Sequence, residues 1–403
     1  MINGSAIANV ATTGTITIPL MKRTGYKSEF AGAVEAVAST GGQFTPPIMG
    51  AVGFVMAEFL NLSYTYVALA AVTPALLYYI GLLLAVHFEA KRLGLSGIAR
   101  ENIPDALSVI KEQGHLVLPL VSLIGLMFTG FTPLYAAVIS AVISIFITVA
   151  ASWLRKETRM TGDKIIAAVI EGAQSAVSVG VCCVIIGVII GTVTLTSMGL
   201  NMGYLILSLL QDNHVYLAGF LVMIMSAILG MGVPGVAAYV IVQAVAVPVL
   251  IKAGVLPLIA HMFCLIYACL SNITPPVAMS AYVASGIAGS DQTKTGLMAV
   301  RLGLIGFIIP FFFLDNPVLL IGVDPAATAV ETLWAVFSAA VGTFALVGAL
   351  EGWILCKCGW AERIVLFIAS PLLLFPGTMT DFAGFAGIAA VIGFQFLQRR
   401  KET

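Results

Sequence analysis

Apolar runs of about 20 residues recur from one end of this chain to the other, long enough for helices that cross a hydrocarbon layer. Composition agrees. Of 403 residues, 60% are hydrophobic and 9% are charged, and mean hydropathy is +1.06. A soluble domain carries about 25% charged residues. The chain therefore reads as an all-α polytopic membrane protein with membrane lipid as its surroundings. A β-barrel would need alternating segments of roughly ten residues, and the sequence offers none. A formal net charge of zero gives no basis for nucleic-acid binding.

The segments fall at about 5–21, 29–60, 63–86, 114–131 and 133–154. A charged stretch "RKETRMTGDK" and an amphipathic piece to about 174 lead to three tight crossings near 175–192, 196–211 and 214–231. Segment 233–252 is rich in small residues. Segment 255–289 follows, then 296–314, 328–355, 361–377 and 379–398. Residues 87–113 read as polar and charged. Lysine and arginine concentrate on cytoplasmic loops. A layout with Lys22, Arg23, Lys27, Lys91, Arg92, Arg100, Lys111, Arg155, Lys156, Lys294, Lys357 and Arg399 inside is consistent if 233–252 is re-entrant. Lys252 alone falls on the wrong side, and Arg301 falls within a helix.

Two of these segments are broken in the same way. "TGGQFTPPIMG" interrupts the first, and "SNITPPVAMS" interrupts the second, with Thr45-Pro46-Pro47 matching Thr274-Pro275-Pro276 at an offset of 229. The same offset brings Pro19 onto Pro248 and Gly25 onto Gly254. In the layout above the two copies start on opposite sides. Inverted repeats with paired broken helices mark secondary transporters, with the substrate and ion sites at the breaks. The alternative for each break is a plain kink packed against its neighbours.

Two prolines in series stop a helix, because each lacks an N–H and restricts the residue before it. Freed carbonyls in hydrocarbon need partners. Oxygen-rich sites suit a small hard cation. Ser39, Thr40, Gln43 and Thr45 concentrate at one break, and Ser271, Asn272 and Thr274 at the other. Neither break holds a carboxylate, which favours backbone coordination of Na⁺ over a proton relay. Glu35 and Glu58 flank the first break. Glu35 reads either as a functional carboxylate or as a helix charge paired with a nearby base. The small-residue segments "NGSAIANVATTGTITIP" and "GMGVPGVAAYVIVQAVAVP" read as re-entrant hairpin elements or as ordinary close-packed helices. As hairpins they would bring Ser5, Asn9, Thr12, Thr13 and Gly14 to one break, and Gly230, Gly232, Pro234 and Gly235 to the other.

The six cysteines, with Cys182 beside Cys183 and Cys356 near Cys358, make no metal pattern and read as small packing residues. No transition-metal site is expected. His87, His115, His214 and His261 are scattered. There is no HExxH motif, paired carboxylate set or Ser/His/Asp set in the spans, so enzymatic activity is not expected. Met1 leads into "INGSAIANVATTG", which has neither the charged nor the apolar region of a signal peptide.

At these motifs the sequence resembles a known family. "GSAIANVATTGTITIPLMKRTGY" followed by "AVEAVASTGGQFTPPIMGAVGFVMAE", and "CLSNITPPVAMSAYVASGIAGS" in the second half, resemble the large membrane subunit of TRAP (tripartite ATP-independent periplasmic) transporters. The closest likeness is to the fused permease type, over about residues 1–300. The resemblance implies an elevator-type secondary transporter in the bacterial inner membrane. It would import a carboxylate-bearing solute with Na⁺ as coupling ion and a periplasmic binding protein as partner. It implies Na⁺ sites at Ser5, Asn9, Gly41, Gly42 and Pro46, and at Gly232, Ser271, Asn272 and Thr274. It places substrate between the hairpin tips, at Thr12, Thr13, Gly14, Thr45, Pro234 and Gly235. The implied domains are a first hairpin and broken helix (1–60), scaffold helices (61–231), a second hairpin and broken helix (232–290) and extra helices (291–403). Family members carry helices before the first hairpin motif. The chain therefore reads as lacking an N-terminal part, and transport is expected only if another chain supplies those helices. The competing reading is a cation-coupled organic-anion carrier that works without a binding protein. A channel would need a continuous polar pore, which two local breaks do not provide.

Overall fold

A computed structural model of the chain describes residues 4–97, 105–154, 161–197, 201, 215–374 and 377–402. The described residues are almost entirely helical. Their only β-type pairing is an isolated bridge between Trp353 and Lys357. Six of the described helices are long and apolar enough to cross a membrane, and the chain is a multi-pass helical membrane protein.

The helices divide into two compact units. The smaller, residues 97–189, holds α5 (Ala106–Gln113), a short 3₁₀ turn, α6 (Leu118–Phe128), α7 (Pro133–Leu154) and most of α8 (Gly162–Leu195). Helices α6 and α7 pack together, with Ser122 and Ser140 hydroxyls 3.1 Å apart. Sequence reading divided 162–192 into an amphipathic piece and a separate crossing. The structure corrects this to one helix of 34 residues. No proline lies in that stretch, and a helix former needs a specific reason to stop. The crossing expected near 196–211 lies mostly outside the described residues.

The larger unit contains everything else. It comprises α1 (Ala6–Arg23), α2 (Ser28–Gly41), α3 (Val52–Leu60), α4 (Tyr64–Leu93), α9 (Val215–Gly230), α10 (Gly235–Lys252), α11 (Pro257–Leu270), α12 (Met279–Ala288), α13 (Gln292–Leu302), α14 (Leu304–Asp315), α15 (Ala329–Glu351), α16 (Trp360–Leu374) and α17 (Thr378–Glu402). Most boundaries have a visible cause. Ser5, Ser63 and Asp291 accept backbone N–H groups as N-caps of α1, α4 and α13. Thr328 and Glu331 form a capping box on α15. Gly94 and Gly352 end α4 and α15 at positive φ. Helix α4 runs seven residues past its expected end at 86, because Lys91 and Arg92 suit a last turn. The span expected at 296–314 is two helices meeting at Gly303.

The two broken helices lie at the centre of this unit. All residues from Leu258 to Leu270 in α11 are buried, as befits a helix that is apolar on every side. Helix α2 is enclosed by α1, α4, α12 and α13. Helices α9 and α10 pack on each other across the turn at 231–234 and then against α11. The last three helices form their own layer, with Ala345, Leu366, Ala369, Leu373 and Val391 in its core.

Candidate functional site

The repeat legible in the sequence is also written in the hydrogen bonds. Thr45 Oγ1 donates to the Gly41 carbonyl at 2.5 Å, and Thr274 Oγ1 donates to the Leu270 carbonyl at 2.8 Å. Met49 N bonds Thr45 O, and Ala278 N bonds Thr274 O, both at 3.1 Å. Met49 and Ala278 are both non-glycine residues at positive φ. The Pro46-Pro47 and Pro275-Pro276 peptides are both cis. At the helix ends upstream, Gly25 N bonds Lys22 O and Gly254 N bonds Ile251 O. Every one of these pairs obeys the offset of 229.

The carbonyls expected to be laid open by the prolines are therefore partly covered. The threonine of each TPP motif turns its hydroxyl hydrogen back to its own helix end, which leaves the oxygen lone pairs available to a cation. Further cover comes from α4, whose Tyr78 and Tyr79 hydroxyls donate to Val37 O and Ala38 O. Gly41 is small because Tyr78 packs against it, and a Cβ there would lie 2.5 Å from the ring.

One bond joins the two breaks. Asn272 Nδ2 donates to Gln43 Oε1 at 3.4 Å, and these residues are themselves 229 apart. Under a two-fold relation, equivalent positions touch each other only at the axis. Both side chains are buried, at 1% and 3% exposure. Asn272 Nδ2 also reaches the Cys269 carbonyl at 3.1 Å. Gln43 Nε2 rests on Gly235 at the start of α10, where a Cβ would meet it at 2.1 Å.

Around this axis the structure gathers part of the expected sets. Ser271 Oγ has two carbonyl acceptors in reach, Gly230 O at 2.9 Å and Ala268 O of its own helix at 2.7 Å, so the second hairpin touches the second break directly. Gly232 lies against Val277, and Pro234 and Gly235 open α10 beside Gln43. In the first copy Gly4 and Gly50 meet backbone to backbone, which sets Ser5 near the chain that follows Pro46. Asn9 Nδ2 donates to Ser39 Oγ at 2.8 Å and lies 3.3 Å from Thr13 Oγ1. Gly42 closes α2.

Other residues go elsewhere. Thr12 is exposed and bonds to carbonyls of its own helix. Thr13 and Gly14 lie two turns below the tip of α1, against Glu35 of α2. Thr45 serves its cap. Glu35, Ser39, Thr40 and Gln43, each noted in the sequence near the first break, are buried polar groups that the ion and substrate sets do not include. The offset that pairs Gln43 with Asn272 was the available signal for Gln43. Glu35 carried only its charge.

The donor atoms fit a hard cation in kind. Asn9 and Asn272 both commit their amide nitrogens to neighbouring oxygens, and among the described residues no hydrogen bond occupies their amide oxygens. Oxygen ligands from amides, hydroxyls and carbonyls are the set such ions take. Among the described residues no group of His, Cys, Asp and Glu is placed to hold a transition metal.

The chain is similar to known proteins over most of its length. The DctM component of the tripartite ATP-independent periplasmic transporter matches residues 1–327. The isethionate TRAP transporter permease protein DctMQ of Oleidesulfovibrio alaskensis is 25% identical over 310 residues, covering 76% of this chain and 47% of that protein. The C4-dicarboxylate TRAP transporter large permease protein DctM of Vibrio cholerae is 26% identical over 343 residues, covering 78% and 71%. The sialic acid TRAP transporter large permease protein SiaM of the same organism is 26% identical over 320 residues, covering 77% and 70%. The chain thus spans about half the length of the isethionate permease. With most of its residues matched by the family as a whole, the chain belongs to the DctM component family of tripartite ATP-independent periplasmic transporters.

Proposed function

We propose that this chain is the permease part of a secondary importer in the bacterial inner membrane. It moves a carboxylate-bearing organic solute, received from a periplasmic binding protein, with Na⁺ as the coupling ion. The single observation that carries the reading is the pair of polar breaks that meet at Gln43 and Asn272. Paired broken helices at a repeat interface are where transporters of this type place solute and ion. Two relatives' names support a carboxylate, since they are named for C4-dicarboxylate and sialic acid, whereas isethionate is a sulfonate and supports only an organic anion.

A bound cation would supply positive charge at the breaks. The residues that would hold it are Ser5, Asn9, Gly41, Gly42 and Pro46 at the first, and Gly232, Ser271, Asn272 and Thr274 at the second. The chain's own groups prepare those places. Tyr78 and Tyr79 fix the end of α2. Ser271 ties the second hairpin to its break. Gln43 orients Asn272. Pro234 and Gly235 present the start of α10, whose free N–H groups suit an anionic solute group.

The test is solute uptake into proteoliposomes by the complete transporter with its binding protein, at varied Na⁺. Asn272→Ala is expected to raise the Na⁺ concentration for half-maximal uptake roughly tenfold, equivalent to about 1.4 kcal/mol. Uptake that ignores Na⁺ and follows pH alone would overturn the sodium assignment. Full uptake without any binding protein would overturn the partner.

A further inference from the structure

Glu35 lies in the middle of α2 and is 7% exposed. A carboxylate taken out of water costs several kcal/mol unless it is neutralised or richly hydrogen-bonded. Ionisable groups at membrane depth are functional candidates for that reason. The sequence allowed a nearby base as partner, and among the described residues the structure supplies none.

What it supplies is hydroxyls. Thr13 Oγ1 donates to Glu35 Oε1 and Thr17 Oγ1 to Oε2, each at 2.5 Å, and Ser39 Oγ lies 3.5 Å from Oε1. The charged and titratable groups on the elements around α2 have other engagements. On α1, Lys22 donates to Ala288 O at the far end, beside exposed Arg23. On α4, Tyr78 and Tyr79 hold backbone carbonyls, and Glu89 pairs with Arg92 in the last turn. On α11, His261 bonds Tyr239. Tyr282 of α12 donates to Pro276 O. On α13, Lys294 is exposed and Arg301 pairs with Glu351.

Each threonine hydroxyl has a second acceptor in reach. Thr13 Oγ1 is 2.8 Å from Asn9 O, and Thr17 Oγ1 is 3.0 Å from Thr13 O. A hydroxyl has one hydrogen to give and lone pairs to receive. With Glu35 ionised, both hydrogens go to the carboxylate. With Glu35 protonated, Thr17 can turn its hydrogen to Thr13 O and accept the new O–H. Both states are hydrogen-bonded throughout, so neither strands a buried polar atom. A metal ion suits the cage less well. Oxygens around a hard cation at about 2.4 Å stand about 3.4 Å apart, whereas the threonine and carboxylate oxygens are at hydrogen-bond separation.

We propose that Glu35 is a proton-binding site of the carrier. One proton passes from water to Oε2, and returns to water on release, while Thr17 turns between the carboxyl group and the Thr13 carbonyl. Ser39 links the site to Asn9, so its occupancy is felt at the first break. The site stands apart from the sodium assignment, because a proton there needs neither Na⁺ nor uptake to be seen.

Infrared difference spectroscopy of the full chain in lipid tests this. Spectra of the wild type and of Glu35→Gln are taken before and after the same acidification. A carboxylic-acid C=O band should appear in the wild type and be lost in Glu35→Gln. No difference between the two overturns the proposal. Loss of the wild-type band on adding Na⁺ at constant low pH also overturns it, in favour of a metal site. Thr17→Val keeps the acid and removes one donor. Its band should persist at a higher frequency, and an unmoved band overturns the hydroxyl cage.

Discussion

At Gly235 the absence of a side chain decides where an amide can sit. A methyl group there would occupy the place of Gln43 Nε2, and the Gln43–Asn272 bond depends on that place. Gly235→Ala is therefore expected to destabilise the protein by about 1–3 kcal/mol through overpacking, read as a shift in detergent unfolding. Gln43→Ala should relieve the clash, so the double variant should be less destabilised than the two single effects summed. The sequence told which residues sit at the breaks and little about how each is used. Thr45 and Thr274 looked like ligands, yet their hydroxyl hydrogens go to their own helix ends. Short polar side chains have a backbone carbonyl always within reach, and residue identity cannot say which partner wins. Glu35 was visible as a lone charge, but two of its hydroxyl partners, Thr13 and Thr17, come from another helix and needed coordinates.

Among the elements, the turn at 352–359 shows how a connection is held between long helices. Gln395 of α17 accepts from the N–H groups of Leu355 and Cys356 at 3.1 and 3.4 Å, and its Nε2 reaches Cys358 Sγ at 3.2 Å. Burial pushes the Cys358 thiol up from its usual range. A raised thiol carries less thiolate at a given pH, and the thiolate is what reacts. Maleimide should therefore label Cys356 before Cys358 near neutral pH, with the gap closing as pH rises, as mass spectrometry of peptides would show. Gln395→Leu removes the amide that donates to the Cys358 sulfur and favours its thiolate, so the thiol should rise further and Cys358 labelling should slow. Equal labelling in both proteins would count against this role for Gln395. Element existence was largely legible from apolar runs, whereas extents were not. Helix α8 runs on where a charged flank suggested a boundary, and 296–314 breaks at Gly303, where Ile273 leaves no room for a side chain.

For the molecule as a whole, the charges cluster at the ends of helices. Glu89 meets Arg92 at the end of α4, and Arg301 meets Glu351 at 2.8 Å between α13 and α15. Arg363 donates to the Ala349 and Leu350 carbonyls. Glu351 is almost fully enclosed, with 3% of its side chain exposed. Removing one partner of a buried pair strands the other, at about 3–5 kcal/mol. Arg301→Met should lose roughly that much stability, and Arg301→Met with Glu351→Leu should recover most of it. Failure of the double variant to recover would mean that Arg301 acts through the Leu350 carbonyl instead. Architecture at this scale was the most legible of all, because the apolar runs announced the membrane helices and one offset of 229 paired the two breaks before any coordinate.

That relation has a consequence at its centre. A position on a two-fold axis faces its own copy, so its side chain must be able to bond to itself. A lysine or an ionised carboxylate would repel its twin, whereas a carboxamide both gives and receives. Gln43 and Asn272 are both carboxamides, differing by one methylene. If a half-length ancestor once assembled with a second copy of itself, this was the place where self-recognition demanded such a group. In this chain the two carboxamides bond to each other there.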